Sequence, residues 1–284
     1  MIKLVMTDLD DTLIAHGLPR ATDHAIAGVQ AMIAAGLHFG PVSGRIPNDM
    51  GWMFDHHKEC YATGAYCNGQ MVYVDGELVH AEPLSGEELN RLAAVLADTG
   101  RAILTMFDVW EGDINTAGYF VSPDAAHAER MLSRFGAAKR WVKRLDEPTY
   151  LKANIHVEGT REEQTQVRDM LRDEFPTMDF VFPSNFAPLL DILPHGWNKG
   201  SAVKVIAREL GITLDEVATF GDSENDLSMI EAVPNAVAMG NASDLIKRAA
   251  RWEIGASADD AEADALFDIA AAAKTGSMPS FMRD

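Results

Sequence analysis

Asp8 and Asp10 stand two residues apart, directly after the short β-prone run Ile2-Lys3-Leu4-Val5-Met6. If the extended backbone persists to this point, both side chains face the same way. Two like charges so close repel each other, and a third carboxylate at Asp222 makes an arrangement that needs a cation. A hard, oxygen-ligated ion such as Mg²⁺ suits carboxylates with no His or Cys among them. Alone, Asp8-Leu9-Asp10-Asp11-Thr12 reads as a solvated turn, so its chemistry depends on what gathers around it.

Two further strand ends carry polar clusters. Ser43-Gly44-Arg45 follows the run Leu37 to Val42 and is read as opening a helix, where backbone amides point at an oxyanion or a phosphate. Gly221-Asp222-Ser223-Glu224-Asn225-Asp226 follows the apolar run Val217 to Phe220, and one helical turn brings Asp222, Asn225 and Asp226 to the same region. An elaborate helix cap is the competing reading of that segment. Lys199 follows Asn198, a residue suited to cap a helix. The lysine then sits at the positive end of the helix dipole, a poor place for a cation, and such local conflicts often mark functional sites.

These residues need a scaffold that brings distant segments together. The strand Ile2 to Met6, a helix from Ala21 to Ala35 and the strand Leu37 to Val42 form a β-loop-α-β unit, the signature of a parallel sheet. In such sheets ligands bind outside the carboxyl ends of the strands, where all three clusters fall. Asp75-Gly76, between Val72-Tyr73-Val74 and Glu77-Leu78-Val79, predicts a hairpin that interrupts the pattern. A second α/β module follows, with helices over Gly86 to Ala97, Asp124 to Phe135 and Arg161 to Phe175. Its strands are expected near Ile103 to Val109, Ala153 to Val157, Asp179 to Phe182 and Leu189 to Ile192. The doubly wound pattern resumes with a helix from Lys199 to Leu210, the strand at Val217, a helix from Glu224 to Glu231 and a strand from Ala236 to Met239. Helices over Ala242 to Ala250 and Ala261 to Ala273 complete it, and the tail after Lys274 is expected to fray.

Composition narrows the partners. The 24 basic and 43 acidic side chains give a formal charge of −19, which repels nucleic acid and anionic membranes over most of the surface. An anionic substrate must be captured by a local positive site. Cys60 and Cys67 lack the spacing of a zinc site and are expected to be buried free thiols. No apolar run reaches the roughly 20 residues that span a bilayer, and no signal-peptide core precedes Asp8, so a cytoplasmic location is expected.

In order along the chain, Asp8-Leu9-Asp10-Asp11-Thr12, Ser43, Lys199 and Gly221-Asp222-Ser223-Glu224-Asn225-Asp226 resemble the four motifs of haloacid dehalogenase (HAD) superfamily phosphatases. The insertion after Asn68-Gly69 resembles the Cof-type branch with its α/β cap. The resemblance implies an α/β fold: a Rossmann-like doubly wound core over residues 1–81 and 195–284, with the cap at 82–194. It implies a nucleophile at Asp8 that becomes phosphorylated, and an acid and base at Asp10. Mg²⁺ would be held by Asp8, the Asp10 carbonyl and Asp222, with Asp226 supporting that shell. Leu9, Ser43, Gly44, Lys199 and Asn225 would bind the phosphoryl group of a small phosphorylated metabolite, such as a sugar phosphate or a phosphorylated cofactor.

Asp11 stands where the family often has Gly, and an ordinary backbone angle is expected there. Arg45 fits the family's Ser/Thr-Gly-Arg pattern, with a structural salt bridge as an equal reading. A phosphotransferase or mutase would use the same Asp8 chemistry, and a non-enzymatic phosphometabolite sensor would keep only the scaffold. Trp110, Asn115, Lys152 and Asn185 are candidates for specificity in the inserted module.

Overall fold

Leu4, Val5 and Met6 form an uninterrupted apolar run, which suits a strand covered on both faces. In the computed structural model, which describes residues 1–113, 115–136, 138, 140–183 and 187–283, they lie in β1 (Leu4–Thr7), buried throughout. The hydroxyl of Thr22 accepts the Ala25 amide and starts α1 (Asp23–Ala34), which leads to β2 (His38–Pro41), parallel to β1. After the single turn α2 (Met50–Met53), β3 (Gly64–Tyr66), β4 (Met71–Val74) and β5 (Glu77–Ala81) form a three-stranded antiparallel sheet. Its β4–β5 turn has φ of 51° at Asp75 and 86° at Gly76, the double positive φ of a type I′ hairpin.

The inserted module runs through β6 (Leu84–Ser85), α3 (Gly86–Thr99), β7 (Ala102–Phe107), β8 (Gly118–Val121), α4 (Ala125–Phe135), β9 (Trp141–Val142) and β10 (Thr149–Tyr150). It continues with β11 (Lys152–Val157), α5 (Arg161–Glu174), β12 (Met178–Val181) and β13 (Leu189–Pro194). Six of these strands form one sheet in the order β12-β13-β11-β7-β8-β9. Period-two alternation divides its residues between two faces. Leu104, Met106, Ala153 and Ile155 pack with Leu89, Leu92 and Leu96 of α3 and with Val167 and Leu171 of α5, while Ile103 and Phe120 pack with Met131 of α4. On β11, the positions that alternate with Ala153, Ile155 and Val157 are Lys152, Asn154 and His156, all buried. Lys152 Nζ meets Asp191 Oδ1 of β13 at 2.7 Å.

The chain then returns through α6 (Lys199–Glu209), β14 (Val217–Gly221), α7 (Leu227–Ile230), β15 (Asn235–Ala238), α8 (Asp244–Ala249), β16 (Trp252–Glu253) and α9 (Ala261–Thr275). The parallel sheet has the order β16-β15-β14-β1-β2, which puts the two acidic strand ends, of β1 and β14, side by side. The expected α/β fold is therefore present. Two compact units result: residues 1–44, 49–81 and 198–284 in the first, residues 45–48 and 82–197 in the second. Among the described residues, no helix is long and apolar enough to cross a membrane.

Three expectations are corrected. Ser43-Gly44-Arg45 does not open a helix: a 3₁₀ turn begins only at Pro47 and α2 follows it. A residue before proline is disfavoured in the helical region, which delays the start past Ile46. Glu224 to Glu231 is not one helix but a 3₁₀ turn, Glu224–Asp226, leading into α7. The tail is tied down: Asp268 Oδ2 accepts the Ser280 amide and hydroxyl, Met282 is buried, and Phe281 packs against Phe220. The strands β9, β10 and β16, two residues each, carried no sequence pattern.

Candidate active site

Asp8 is the first residue beyond β1, and its amide still pairs with the Phe220 carbonyl of β14 at 3.1 Å. Asp222 follows the last residue of β14 in the same way. Adjacent parallel strands thus deliver two carboxylates to one end of the sheet. Asn198 caps α6 through the Ser201 amide, so Lys199 occupies the first helical position, as its sequence context implied. Its ammonium is fully buried, 2.6 Å from Asp8 Oδ1 and 2.6 Å from Asp226 Oδ1. The conflict with the helix dipole is resolved here by two carboxylates.

Asp226 also shapes the loop. Its Oδ2 accepts the amides of Asp222 at 2.9 Å and Ser223 at 3.1 Å. A Cβ on Gly221 would lie 2.6 Å from the Asp226 Cβ, so the strand end needs glycine for close approach rather than for turning. Thr12 Oγ1 donates to Asp222 Oδ1 at 3.1 Å and joins the two strand-end loops. Asn225 is half-buried, and its Oδ1 accepts from Ser223 Oγ at 2.8 Å.

Asp8, Asp222 and Asp226 each offer an oxygen, with all three atoms within 4.8 Å of one another. One ammonium does not balance three carboxylates in so buried a place. Burial pushes the Asp8 carboxyl up to about 7, with Asp226 adding to the shift and Lys199 opposing it. Burial likewise pushes Asp222 up to about 8, helped by Asp226 and Asp8. Burial works against the charge on Lys199, yet Asp226 and Asp8 outweigh it and raise its pKa above the ordinary range. An all-oxygen donor set with excess negative charge fits a hard divalent cation.

Asp10 is exposed at the start of the loop, and its side chain stands outside this carboxylate group. The neighbouring Asp11 adopts φ of 63°, overturning the expectation of an ordinary angle. Aspartate tolerates the left-handed region better than most side chains, and Asn241 Nδ2 donates to the Asp11 carbonyl at 2.8 Å. Leu9 is buried, and its carbonyl accepts the amides of Thr12 and Ile14. Ser43 is buried next to β2, its amide bonded to the Ala65 carbonyl at 2.9 Å and its own carbonyl to the Asn68 amide at 2.8 Å. Gly44 follows it, half-buried.

In the second unit, Trp110 is 60% exposed, Asn115 lies on the surface, and Lys152 is committed to its buried pair with Asp191. Asn185 lies outside the described residues. Cys60 and Cys67 are buried free thiols. Sequence reasoning overlooked Thr7 and Glu262, which bond to each other beneath Asp8. The only signal for Glu262 is an acid in an alanine-rich helix that packs on α1.

The ends of β1 and β14 thus bring Asp8 and Asp222 together, and Lys199 bridges Asp8 to Asp226. The profile described as haloacid dehalogenase-like hydrolase matches residues 5–266. A provisionally named phosphatase of Haemophilus influenzae is 26% identical over 258 residues, 88% of this chain and 91% of the relative. An HMP-PP phosphatase of an Enterobacter species is 28% identical over 184 residues, 62% of this chain and 61% of the relative. A solved sugar phosphatase of HAD subclass IIB shares the fold with a TM-score of 0.73 at 22% identity, over 93% of this chain and 97% of that one. The chain belongs to the haloacid dehalogenase-like hydrolase family and is a phosphatase of that superfamily.

Proposed function

We propose that the chain hydrolyses a small phosphorylated metabolite through a phosphoryl-enzyme formed on Asp8. The observation that supports this most directly is the Lys199 ammonium, held 2.6 Å from both Asp8 and Asp226 at the shared end of β1 and β14. An Asp8 carboxylate oxygen attacks phosphorus as the bond to the leaving oxygen breaks, and Asp10, exposed at the start of the loop, gives that oxygen its proton. Asp10 then takes a proton from water as the water attacks phosphorus, releasing phosphate and regenerating the Asp8 carboxylate.

Lys199, Ser43, Asn225 and the backbone amides of Leu9 and Gly44 bind the phosphoryl oxygens, where charge accumulates in the transition state. Asp8, Asp222 and the Asp10 carbonyl would hold Mg²⁺, with Asp226 orienting Asp222 through its amide. When bound, the ion offsets the charge of the carboxylates and of the substrate phosphate. The relatives named for HMP-PP and for sugar phosphates make a sugar phosphate or a phosphorylated cofactor the substrate class to test first.

The test is phosphate release from a panel of such compounds with and without Mg²⁺. Activity should require the cation, and Asp8→Asn should lower kcat by roughly a thousandfold or more. Full activity in Asp8→Asn would sink the proposal. Transfer of label to an added sugar with little free phosphate would identify a phosphotransferase instead.

A further inference from the structure

Beneath the nucleophile lies a carboxyl group that the mechanism above does not use. Glu262 sits in the first turn of α9 and is 1% exposed. Its Oε2 is 2.9 Å from Thr7 Oγ1, and the same hydroxyl is 2.8 Å from the main-chain oxygen of Asp8. Glu262 Oε1 is buried with no hydrogen-bond partner.

A hydroxyl has one proton, and a carbonyl oxygen has none to give. If Glu262 were ionised, Thr7 would face two acceptors with a single hydrogen, and one contact would be oxygen against oxygen. Both contacts become hydrogen bonds when Glu262 Oε2 carries a proton and donates it to Thr7 Oγ1, while Thr7 donates to the Asp8 carbonyl. The unpartnered Oε1 points the same way, because an ionised carboxylate spreads its charge over both oxygens and one of them has nothing to answer it. Burial pushes the Glu262 carboxyl well above its ordinary range, and the hydrogen bond with Thr7, which works to lower it, does not outweigh burial.

We propose that Glu262 is held as the neutral acid and, through Thr7, fixes the main chain of Asp8, making it a positioning residue for the nucleophile. The inference rests on Asp8 being that nucleophile. At Asp8 the chain leaves the β1 ladder: its amide is still tied to Phe220, and its carbonyl is tied to Thr7. Holding both sides of one residue fixes the base from which its side chain reaches phosphorus, and small misplacements of a reacting group are costly in rate.

Infrared difference spectra between the natural chain and Glu262→Gln at neutral pH, without substrate, should show a carboxylic-acid C=O band that the variant lacks. Thr7→Val keeps the side-chain shape and breaks both bonds, so kcat should fall about tenfold with KM unchanged. Glu262→Ala should fall likewise, and Glu262→Gln, whose amide NH₂ donates as the neutral acid does, should recover the lost rate. Absence of the band, or Thr7→Val turning over like the natural chain, overturns the proposal. The spectra need no turnover, so a chain inactive on every phosphate ester would sink the proposed function while the band still decides the state of Glu262.

Discussion

Asp226 ties three groups of the site together: the Lys199 ammonium and the amides of Asp222 and Ser223. One oxygen takes the Lys199 ammonium and the other takes the amides of Asp222 and Ser223, so every contact is an acceptor facing a donor. An asparagine cannot reproduce this: in either orientation its NH₂ faces the lysine or the two amides, donor against donor. Asp226→Asn should therefore lose about 1–3 kcal/mol of stability, the cost of leaving a buried donor facing a donor, since Lys199 keeps its pair with Asp8. It should also lose roughly a hundredfold or more in kcat as the Asp222 loop relaxes. Chemical denaturation and phosphate-release kinetics measure the two losses, and a stability equal to that of the natural chain would contradict this account. Lys199 was legible in the sequence because a cation at a helix start conflicts with local electrostatics. The role of Asp226 as its buried counter-charge was not legible, because that pairing spans 27 residues and depends on how α6 meets the β14 loop. Glu262 was harder still, lying 255 residues from Thr7, and Asp11 shows that a residue type alone does not set a backbone angle.

At the level of elements, β11 illustrates what a strand pattern conceals. Its residues Lys152 to Val157 alternate polar and apolar, which would ordinarily mark a strand with one face in water, yet all six are buried. The polar positions are covered: His156 pairs with Thr105 Oγ1 at 2.8 Å and lies against the rings of Phe120 and Phe135. Burial pushes the His156 imidazole down to about 4 from its ordinary value near 6.5. Below that ordinary value the unfolded chain takes up a proton that the folded chain refuses, so His156 withdraws stability as the pH falls from about 6.5 to about 4 and no further. The size is about 3 kcal/mol, from about 1.4 kcal/mol for each pH unit. His156→Phe should flatten that part of the stability curve relative to the natural chain in urea unfolding at stepped pH. An identical slope in the two chains would contradict the assignment. Long amphipathic helices such as α3 and α5 were readable because many residues vote for one periodicity. β9 and β16 were not, since two residues define no period, and the helix expected at Gly44 was delayed by one proline.

For the molecule as a whole, the sequence showed a parallel pattern interrupted and resumed, and the fold has two compact units, the first assembled from both ends of the chain. Asp8, Asp222, Asp226 and Lys199 all belong to that first unit, whereas the second has its own sheet and core. A divalent cation that binds only the folded first unit must stabilise that unit by mass action. At a Mg²⁺ concentration about a hundredfold above its dissociation constant the gain is about 2.7 kcal/mol. Amide hydrogen exchange should resolve it by location. Protection should rise in β1, β14 and α6, which carry the site, and stay unchanged in β7, β11 and β13, which belong to the second unit. Asp222→Asn should abolish the rise, because it removes one of the charges that make the cation favourable. Equal gains in both units, or an unchanged response in Asp222→Asn, would place the cation elsewhere on a chain whose formal charge of −19 offers many weaker acidic sites.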